Sequence, residues 1–258
     1  MNIVACLKQV PDTTAEKKLN AEFRLDRDSV EKIVNPFDEY AIEEALRIKE
    51  AQGGEVTALC VGPESAKEAL RKAVAMGVQK AVLVTDPNLA GSDTLGTAYA
   101  LSLAVKKLQP DLVLLGMQST DAGTAQVAGK LAAMLEQPLH SYTAKLEIGD
   151  GKATSQRQTD KGFDVIESSL PAVVSVLKGI NEPRYPSLKG IMQAKRTEIA
   201  IWSLADIGAD AAKVGKAGAL EKTLGYERTK PRTAGQVIKD DGTAAAKIAD
   251  FLVASKVV

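Results

Sequence analysis

The chain has 258 residues, of which 45% are apolar, 26% charged and 4% aromatic, an ordinary composition for a globular protein. The 33 Lys and Arg residues balance the 33 Asp and Glu residues, so the net charge is zero. A chain without net charge lacks the overall field that draws proteins to nucleic acid or to anionic membranes. We therefore expect no nucleic-acid partner.

Membrane, metal and nucleophile chemistry have little support in the sequence. No apolar run reaches the ~18 residues of a membrane-spanning helix, and the N-terminus MNIVACLKQVPD resembles a strand rather than a signal peptide. We expect no membrane span and a cytoplasmic location. Cys6 and Cys60 lie in apolar runs, which favours buried thiols. Because His140 is the sole histidine, we expect no metal site and no catalytic triad.

Continuous apolar runs recur along the first half of the chain and are typical of strands covered on both faces. They are NIVACL (2–7), EVTALCVG (55–62), KAVLVTD (80–86) and PDLVLLGMQ (110–118). Amphipathic helical patterns follow at residues 38–52, 64–76, 92–108 and 124–135. The alternation of strands and helices predicts a doubly wound, mainly parallel α/β sheet with right-handed crossovers.

The sequence pattern changes in the second half of the chain. KLEIGDGKATSQRQ (145–158) predicts two strands joined by a Gly-Asp-Gly turn, and LPAVVSVL (170–177) predicts another buried strand. We expect these to add antiparallel strands to the sheet. A polar stretch at 208–243 and a closing helix at 244–255 predict an arm that packs on another surface. We thus divide the chain into a nucleotide-binding domain, 1–200, and an arm, 201–258.

The carboxyl ends of parallel strands are where such folds bind ligands. The segment LLGMQSTDAGTAQVAG (114–129) follows a buried strand, carries small residues, and opens a helix with Thr124 as the expected N-cap. A nucleotide phosphate would fit there, and an ordinary capped turn is the alternative. Neither GxGxxG nor GxxxxGK[ST] is present. From the residues alone the prediction is a nucleotide-binding α/β domain.

Several blocks along the chain resemble the electron transfer flavoprotein beta subunit. They are VACLKQVPD, NPFDEYAIEEALRIKE, AMG, DLVLLGMQSTD, LPAVVSV and NEPRYPSLKGIMQAKR. The last block is the most specific, because neither packing nor propensity demands it. The resemblance implies a Rossmann-like fold of the adenine nucleotide alpha hydrolase type. It also implies a heterodimer with an alpha subunit that holds most of the FAD, while this chain holds a structural AMP and its arm packs on alpha.

The resemblance also implies a set of cofactor-binding residues. They are Ala5, Cys6, Asn35, Val61, Gly116, Met117, Gln118, Ser119, Asp121, Gly123, Thr124, Ala125 and Gln126. The Asn35 amide can both donate and accept toward an adenine edge, and Asp121 and Gln126 can hold ribose or phosphate groups. For Asn35, a turn or helix cap before Pro36 is the alternative. Ala5, Cys6 and Val61 would be core residues in any version of the fold.

One difference from the usual family pattern leaves the identity of the bound nucleotide open. Thr124-Ala125-Gln126-Val127 is similar to the loop of electron-bifurcating relatives, in which a second FAD replaces AMP. In that alternative the protein is part of an enzyme with NADH as donor. In the first interpretation the chain is an electron carrier subunit without catalytic residues.

The segment 184–193 corresponds to the recognition loop of the family. The resemblance implies that it docks on partner dehydrogenases, with Leu188 as the apolar anchor. The docking residues are expected to be Arg184, Tyr185, Leu188, Ile191 and Met192. A leucine folded back on its own subunit is the alternative.

The function implied is electron relay from flavin dehydrogenases, such as acyl-CoA dehydrogenase, to a quinone oxidoreductase. A free-standing nucleotide-binding sensor is the alternative from another class. Such sensors are usually shorter and lack the segment 181–258, so the C-terminal segment argues against that alternative.

Overall fold

The structure is a computed structural model, and it describes residues 1–227, 229, 235 and 237–257. The chain forms two compact units, Met1–Leu224 and Gly225–Val258. Residues 201–224, which the sequence assigned to the arm, belong to the first unit. The reason is that Leu204, Ile207 and Val214 are buried in its core.

The elements are numbered in chain order. The strands are β1 (Asn2–Cys6), β2 (Gln9–Pro11), β3 (Lys32–Val34), β4 (Glu55–Val61), β5 (Lys80–Val84), β6 (Leu112–Gly116), β7 (Leu139–Gly149), β8 (Lys152–Thr159), β9 (Gly162–Ser169), β10 (Ala172–Val176) and β11 (Ile199–Trp202). The α-helices are α1 (Pro36–Gln52), α2 (Lys67–Met76), α3 (Thr94–Leu108), α4 (Val127–Leu135), α5 (Leu188–Arg196), α6 (Gly215–Gly218) and α7 (Ala244–Ala254). Short 3-10 helices cover Glu64–Ala66, Pro87–Leu89, Ala205–Ile207 and Ala211–Lys213.

A nine-stranded sheet organises the first unit, in the order β11-β5-β4-β1-β6-β10-β7-β8-β9. The strands from β11 to β7 pair in parallel, and β7, β8 and β9 pair antiparallel. The doubly wound, mainly parallel α/β fold is confirmed. Of the described strands, β2 and β3 form a separate ribbon, and these two, β9 and β11 were not predicted.

The expectation of antiparallel pairing is wrong for β10, which pairs in parallel with β6 and β7. Strand β8 reverses the chain and β9 restores its direction, so the chain enters β10 already aligned with β7. Every residue of β10 is buried, as expected of a strand covered on both faces. The predicted Gly-Asp-Gly turn is confirmed, with Asp150 and Gly151 both at positive φ between β7 and β8.

Helices cover both faces of the sheet. Successive side chains of β1 point to opposite faces, so Ile3 and Ala5 pack with α1 and α2. Val4 and Cys6 pack with α3 and α4 on the other face. The predicted helical stripes are confirmed, since their members are buried: Ala41, Ile42, Ala45, Leu46 and Ile48 in α1, and Ala69, Leu70, Ala73 and Val74 in α2.

The second unit contains helix α7, which matches the predicted closing helix. Ile248, Phe251 and Val253 of this helix are exposed. None of the helices in the described part of the chain has the length and apolar character needed to cross a bilayer. The described residues also contain no cluster of His, Cys, Asp or Glu that could hold a metal ion.

Candidate functional site

The candidate site lies at the carboxyl edge of the parallel sheet. Strand β1 runs between β4 and β6, with Ala5 paired to Ala58 on one side and Leu114 on the other. The ends of β4 and β6 are therefore two strand spacings apart, about 10 Å. Residues 116–126, which we call the site loop, leave β6 at this edge and lead into α4. This is the position at which such sheets bind ligands.

Asn35 fixes the first half of the site loop. Its Nδ2 donates to the carbonyl of Gln118 at 2.9 Å, and its Oδ1 accepts from the N–H of Thr120 at 3.2 Å. The side chain is buried. The predicted contact of Asn35 with an adenine edge therefore competes with bonds that the amide already makes to the loop. In the structure Asn35 is a support of the loop.

Asp38 joins helix α1 to the ends of two strands. Its carboxylate accepts from the N–H of Lys8 at 2.8 Å and from the N–H of Gly116 at 3.1 Å. Burial raises the pKa of Asp38 to about 7, and the two backbone hydrogen bonds oppose that rise. A Cβ at Gly116 would lie only 2.6 Å from Asp38 Oδ1. Glycine at the start of the loop lets the carboxylate approach this closely.

Asp121 is the centre of an ion cluster. Its buried carboxylate receives Lys8 Nζ at 2.8 Å and Arg27 Nη2 at 2.6 Å. Burial opposes ionisation, but the charge and hydrogen bond of Lys8, with the bond from Arg27, hold the pKa of Asp121 well below its usual range. Lys17 Nζ donates to the carbonyl of Thr120 at 3.0 Å. Asp121, predicted to hold ribose or phosphate, is thus bound by cations of its own chain.

The second half of the site loop is more open. Gly123 and Ala125 have φ of 64° and 53°, in the left-handed region, so the chain cannot be helical here. Helix α4 begins only at Val127, and the predicted N-cap role of Thr124 is wrong. The first N–H groups of a helix have no intrahelical acceptor. The open half of the loop before α4 includes the exposed residues Gly123 and Thr124.

The side chain of Gln126 is hydrogen-bonded to Thr94. Its Oε1 accepts from Thr94 Oγ1 at 3.3 Å, and Thr94 Oγ1 in turn accepts from Lys130 Nζ. Gln126 is nevertheless exposed. It remains accessible to a ligand at the N-terminus of α4.

The remaining predicted pocket residues differ in what they can offer. The side chains of Ala5 and Cys6 are buried on opposite faces of the sheet, so a ligand at the edge can meet only their backbone. Burial raises the pKa of the Cys6 thiol far above its usual range and that of Cys60 to about 12, so neither is a nucleophile. Val61, Met117, Gln118 and Ser119 are half-buried at the edge.

The predicted docking segment is a helix rather than a loop. Ser187 Oγ accepts from the N–H of Gly190 at 3.0 Å and starts α5 at Leu188. Tyr185 is 93% exposed and Leu188 is 76% exposed. Ile191 and Met192 are also exposed. A surface groove of about 560 Å³ runs along Leu188, Met192 and Arg196. The alternative in which Leu188 folds back on its own subunit does not match this geometry.

Comparison with known proteins decides the family. The family model described as the electron transfer flavoprotein domain matches residues 23–207. The chain is 41% identical over 264 residues to the electron transfer flavoprotein subunit beta of Mycobacterium tuberculosis, covering 100% of this chain and 99% of that protein. This chain belongs to the electron transfer flavoprotein beta-subunit family. The resemblance found in the sequence is confirmed.

Two further relatives, the first of them also named electron transfer flavoprotein subunit beta, match most or all of this chain. The subunit beta of Megasphaera elsdenii is 38% identical over 270 residues, the full length of both chains. Protein FixA of Azorhizobium caulinodans is 40% identical over 227 residues, 84% of this chain and 81% of its own. Members of this family have a role in electron transfer, as carriers rather than as conventional enzymes.

Sequence reasoning missed three residues of the candidate site. Arg27 and Lys17 lie in the connection between β2 and β3, far from the site loop in sequence, and only the fold brings them to it. Asp38 resembles an ordinary first-turn acid of a helix. The signal that could have identified Asp38 is its place in the NPFDEYA block, which the family resemblance already included.

Proposed function

We propose that this chain is the beta subunit of a heterodimeric flavoprotein that relays electrons from flavin dehydrogenases to a quinone oxidoreductase. An acyl-CoA dehydrogenase is the donor class. FAD is held mainly by the alpha subunit, and the site loop of this chain holds AMP. The observation that carries the proposal is the similarity to relatives named subunit beta, which extends over the whole chain.

The charge and backbone of the site loop fit a nucleotide phosphate. Lys8 and Arg27 share the single carboxylate of Asp121, so the cluster keeps one net positive charge. Lys17 adds another cation beside Thr120. The N-terminus of α4, whose first N–H groups have no intrahelical acceptor, favours an anion at the open half of the loop. Because the Asn35 amide is engaged, we assign contacts with the base to loop backbone instead.

The exposed apolar residues of the C-terminal region support an alpha partner. Leu220, Leu224, Val237 and Phe251 are more than half exposed. Leu220 and Leu224 lie in the first unit, and Val237 and Phe251 in the second. Single exposed apolar residues are ordinary, so their number in this part of the chain is support for the proposal beside the similarity. The full-length similarity to relatives named subunit beta supports the assignment of this region to the alpha interface.

The dehydrogenase is proposed to dock on α5. Leu188, Ile191 and Met192 are exposed at helical spacing on α5, and the exposed ring of Tyr185 lies three residues before the helix. A few side chains buried at the centre of an interface supply most of its binding energy. We call these four residues the docking surface.

The test is to purify the chain alone and with its alpha subunit, then to release and count the nucleotides of each sample. The expected result is little FAD in the chain alone, and one FAD with one AMP in the heterodimer. Two FAD and no AMP per heterodimer would instead support the bifurcating alternative, in which a second FAD takes the place of AMP. Failure of the two chains to co-purify, or stoichiometric FAD in this chain alone, would contradict the proposal.

A further inference from the structure

Arg184 lies four residues before Leu188 and is bound entirely to helix α1. Its Nε and Nη2 donate to the two carboxylate oxygens of Glu43 at 2.7 and 3.1 Å. Its Nη1 and Nη2 donate to the oxygens of Glu50 at 2.6 and 3.1 Å. All three guanidinium nitrogens are therefore engaged within the chain. The hydrogen bonds and charges of Glu50 and Glu43 raise the pKa of Arg184 further above its usual range.

The carboxylate of Glu43 is suited to this role because it is buried. Only 4% of its side chain is exposed. Although burial opposes ionisation, Arg184 and Arg47 lower the pKa of Glu43 below its usual value. Loss of Arg184 would leave this buried carboxylate with Arg47 alone, at 3.0 Å, and a less fully compensated buried charge is unfavourable. The chain that leads into α5 is thus fastened to α1 by the ion pairs of Arg184 with Glu43 and Glu50.

A second fastening lies three residues earlier. Asn181 Nδ2 donates to the carbonyl of Tyr40 and to Glu44 Oε2, both at 2.9 Å. Asn181 and Arg184 belong to the NEPRYP block, the most specific part of the sequence. Its conformation follows from these bonds to α1.

Helix α5 itself contacts α2. A Cβ at Gly190 would lie 2.1 Å from the carbonyl oxygen of Ala75, so α5 could not approach α2 with any other residue there. Arg71 Nη1 donates to the carbonyl of Ala194 at 2.7 Å, near the end of α5. Ala194 is the buried member of this helix. Because few side chains of α5 are buried, the position of the helix depends on these contacts with α2.

We propose that Arg184 is a positioning residue that fixes α5 before the partner arrives, rather than a residue of the docking surface. This inference rests on the proposed docking function of α5. A segment that is already ordered loses less conformational entropy when the partner binds, so the free-energy cost of association is smaller. Arginine is required because its planar fork engages both carboxylates bidentately, whereas a lysine ammonium is a single point of charge.

The experiment uses Arg184→Lys in the full chain co-expressed with its alpha subunit. Arg157→Lys is the matched control, because Arg157 pairs with one carboxylate, Asp164, at 2.9 Å on the distant β8–β9 hairpin. Backbone hydrogen exchange of residues 188–196 reports the ordering of α5. We expect exchange there to be about tenfold faster in Arg184→Lys, equivalent to about 1.4 kcal/mol, and unchanged in Arg157→Lys.

The functional readout is electron transfer from an acyl-CoA dehydrogenase reduced by its acyl-CoA. We expect Arg184→Lys to raise the apparent KM for the flavoprotein several-fold, leaving kcat and the flavin spectrum unchanged. Gly190→Ala should have the same effect without removing a charge or a surface side chain. Gly149→Ala, where a Cβ meets no atom within 4 Å, is its control.

The outcomes separate this inference from the docking function. If exchange in residues 188–196 is unchanged in Arg184→Lys, the positioning role is wrong whatever the kinetics show. If Leu188→Ala raises KM but Arg184→Lys and Gly190→Ala do not, the docking surface stands and positioning is again wrong. If exchange is faster but KM is unaltered in Arg184→Lys, Gly190→Ala and Leu188→Ala, α5 is not the docking element. The docking proposal and the positioning role of Arg184 are then both wrong.

Discussion

The carboxylate of Asp38 accepts a hydrogen bond from the backbone N–H of Gly116 at 3.1 Å, where β6 ends and the site loop begins. The other oxygen of the same carboxylate accepts from the N–H of Lys8. One buried side chain of α1 therefore sets the spacing of the ends of β1 and β6. The geometry of the candidate site depends on a residue that faces the interior of the protein.

Asp38 should give the protein a pH-dependent stability. Its pKa in the folded state is about 7, above the ordinary value of 3.8, so the folded chain keeps a proton that the unfolded chain releases. Stability from this group is fully present below pH 3.8 and is lost as the pH rises through 7. The slope cannot exceed about 1.4 kcal/mol per pH unit.

The variant for this test is Asp38→Asn, which cannot titrate. Urea unfolding of both proteins from pH 5 to 8 should show the wild type losing stability relative to the variant as the pH rises. The thiols of Cys6 and Cys60 do not interfere, because burial raises the pKa of both above this window. Parallel curves for the two proteins would mean that Asp38 is ionised throughout.

Gly116→Ala should destabilise the protein. The new Cβ would lie 2.6 Å from Asp38 Oδ1 and 2.6 Å from the carbonyl carbon of Phe37, and relieving such overpacking costs about 1–3 kcal/mol. Gly129→Ala is the matched control, since its Cβ would meet only Leu139 Cδ2 at 3.9 Å. In helix α4 that change should stabilise by up to about 1 kcal/mol. If thermal melts show the same change in stability for Gly116→Ala and Gly129→Ala, the proposed crowding at residue 116 is wrong.

Asn35→Ala should loosen the site loop. It removes two hydrogen bonds and leaves the carbonyl of Gln118 and the N–H of Thr120 without these partners. The expected cost is about 1–3 kcal/mol, together with a lower nucleotide content of the purified heterodimer. Chemical unfolding and nucleotide counting measure the two effects. Full nucleotide content in a destabilised variant would restrict Asn35 to a purely structural role.

Asp121→Asn should destabilise the protein at neutral pH. A folded pKa below the usual range contributes stability above the unfolded pKa of 3.8 that is lost as the pH falls through the folded value. Because Lys8 and Arg27 are about 40% exposed, we expect about 1–3 kcal/mol at pH 7, between surface and buried pairs.

At pH 3 that deficit should be smaller. The control is Asp164→Asn, which breaks a pair with Arg157 that is exposed on both sides and should cost less than about 1 kcal/mol. Equal losses in the two variants at pH 7 would contradict a special role for the Asp121 cluster.

The fold could be predicted from the residues because its signals are local. The strands NIVAC and AVVSV are apolar except at Asn2 and Ser175, and α1 and α2 each carry a clear stripe. The direction of β10 could not be predicted, because it depends on two reversals through β8 and β9. Strand β11 was missed because it is only four residues long and follows shortly after the Pro-rich, basic segment 181–196.

For the site, the sequence predicted which residues lie at the carboxyl edge of the sheet, but not the bonds that their side chains make there. Asn35 and Asp121 were expected to bind the ligand, and in the structure they bind the loop and the cations around it. A polar residue near a site can either contact the ligand or support the residues that do. Its spacing in the sequence is the same in both cases, so only the bonds it makes distinguish them.

Leu188→Ala should weaken docking of the dehydrogenase and leave the flavin unchanged. Burying a leucine at an interface is worth about 1.5–3 kcal/mol, so the apparent KM for the flavoprotein should rise about ten- to a hundredfold. Val165→Ala is the control, since Val165 is also exposed but lies on β9 at the opposite edge of the sheet. An unchanged KM would refute the anchor role of Leu188.

The central position of β1 has a consequence for how the chain folds. Ile3 pairs with Val56 and with Leu112, so the middle strand forms its ladders with partners far along the chain. The β7–β8 and β8–β9 hairpins close across a few turn residues. Non-local pairing is slow because loop closure precedes the gain from contacts. In pulsed hydrogen exchange during refolding, amides of β7–β9 should become protected before those of β1.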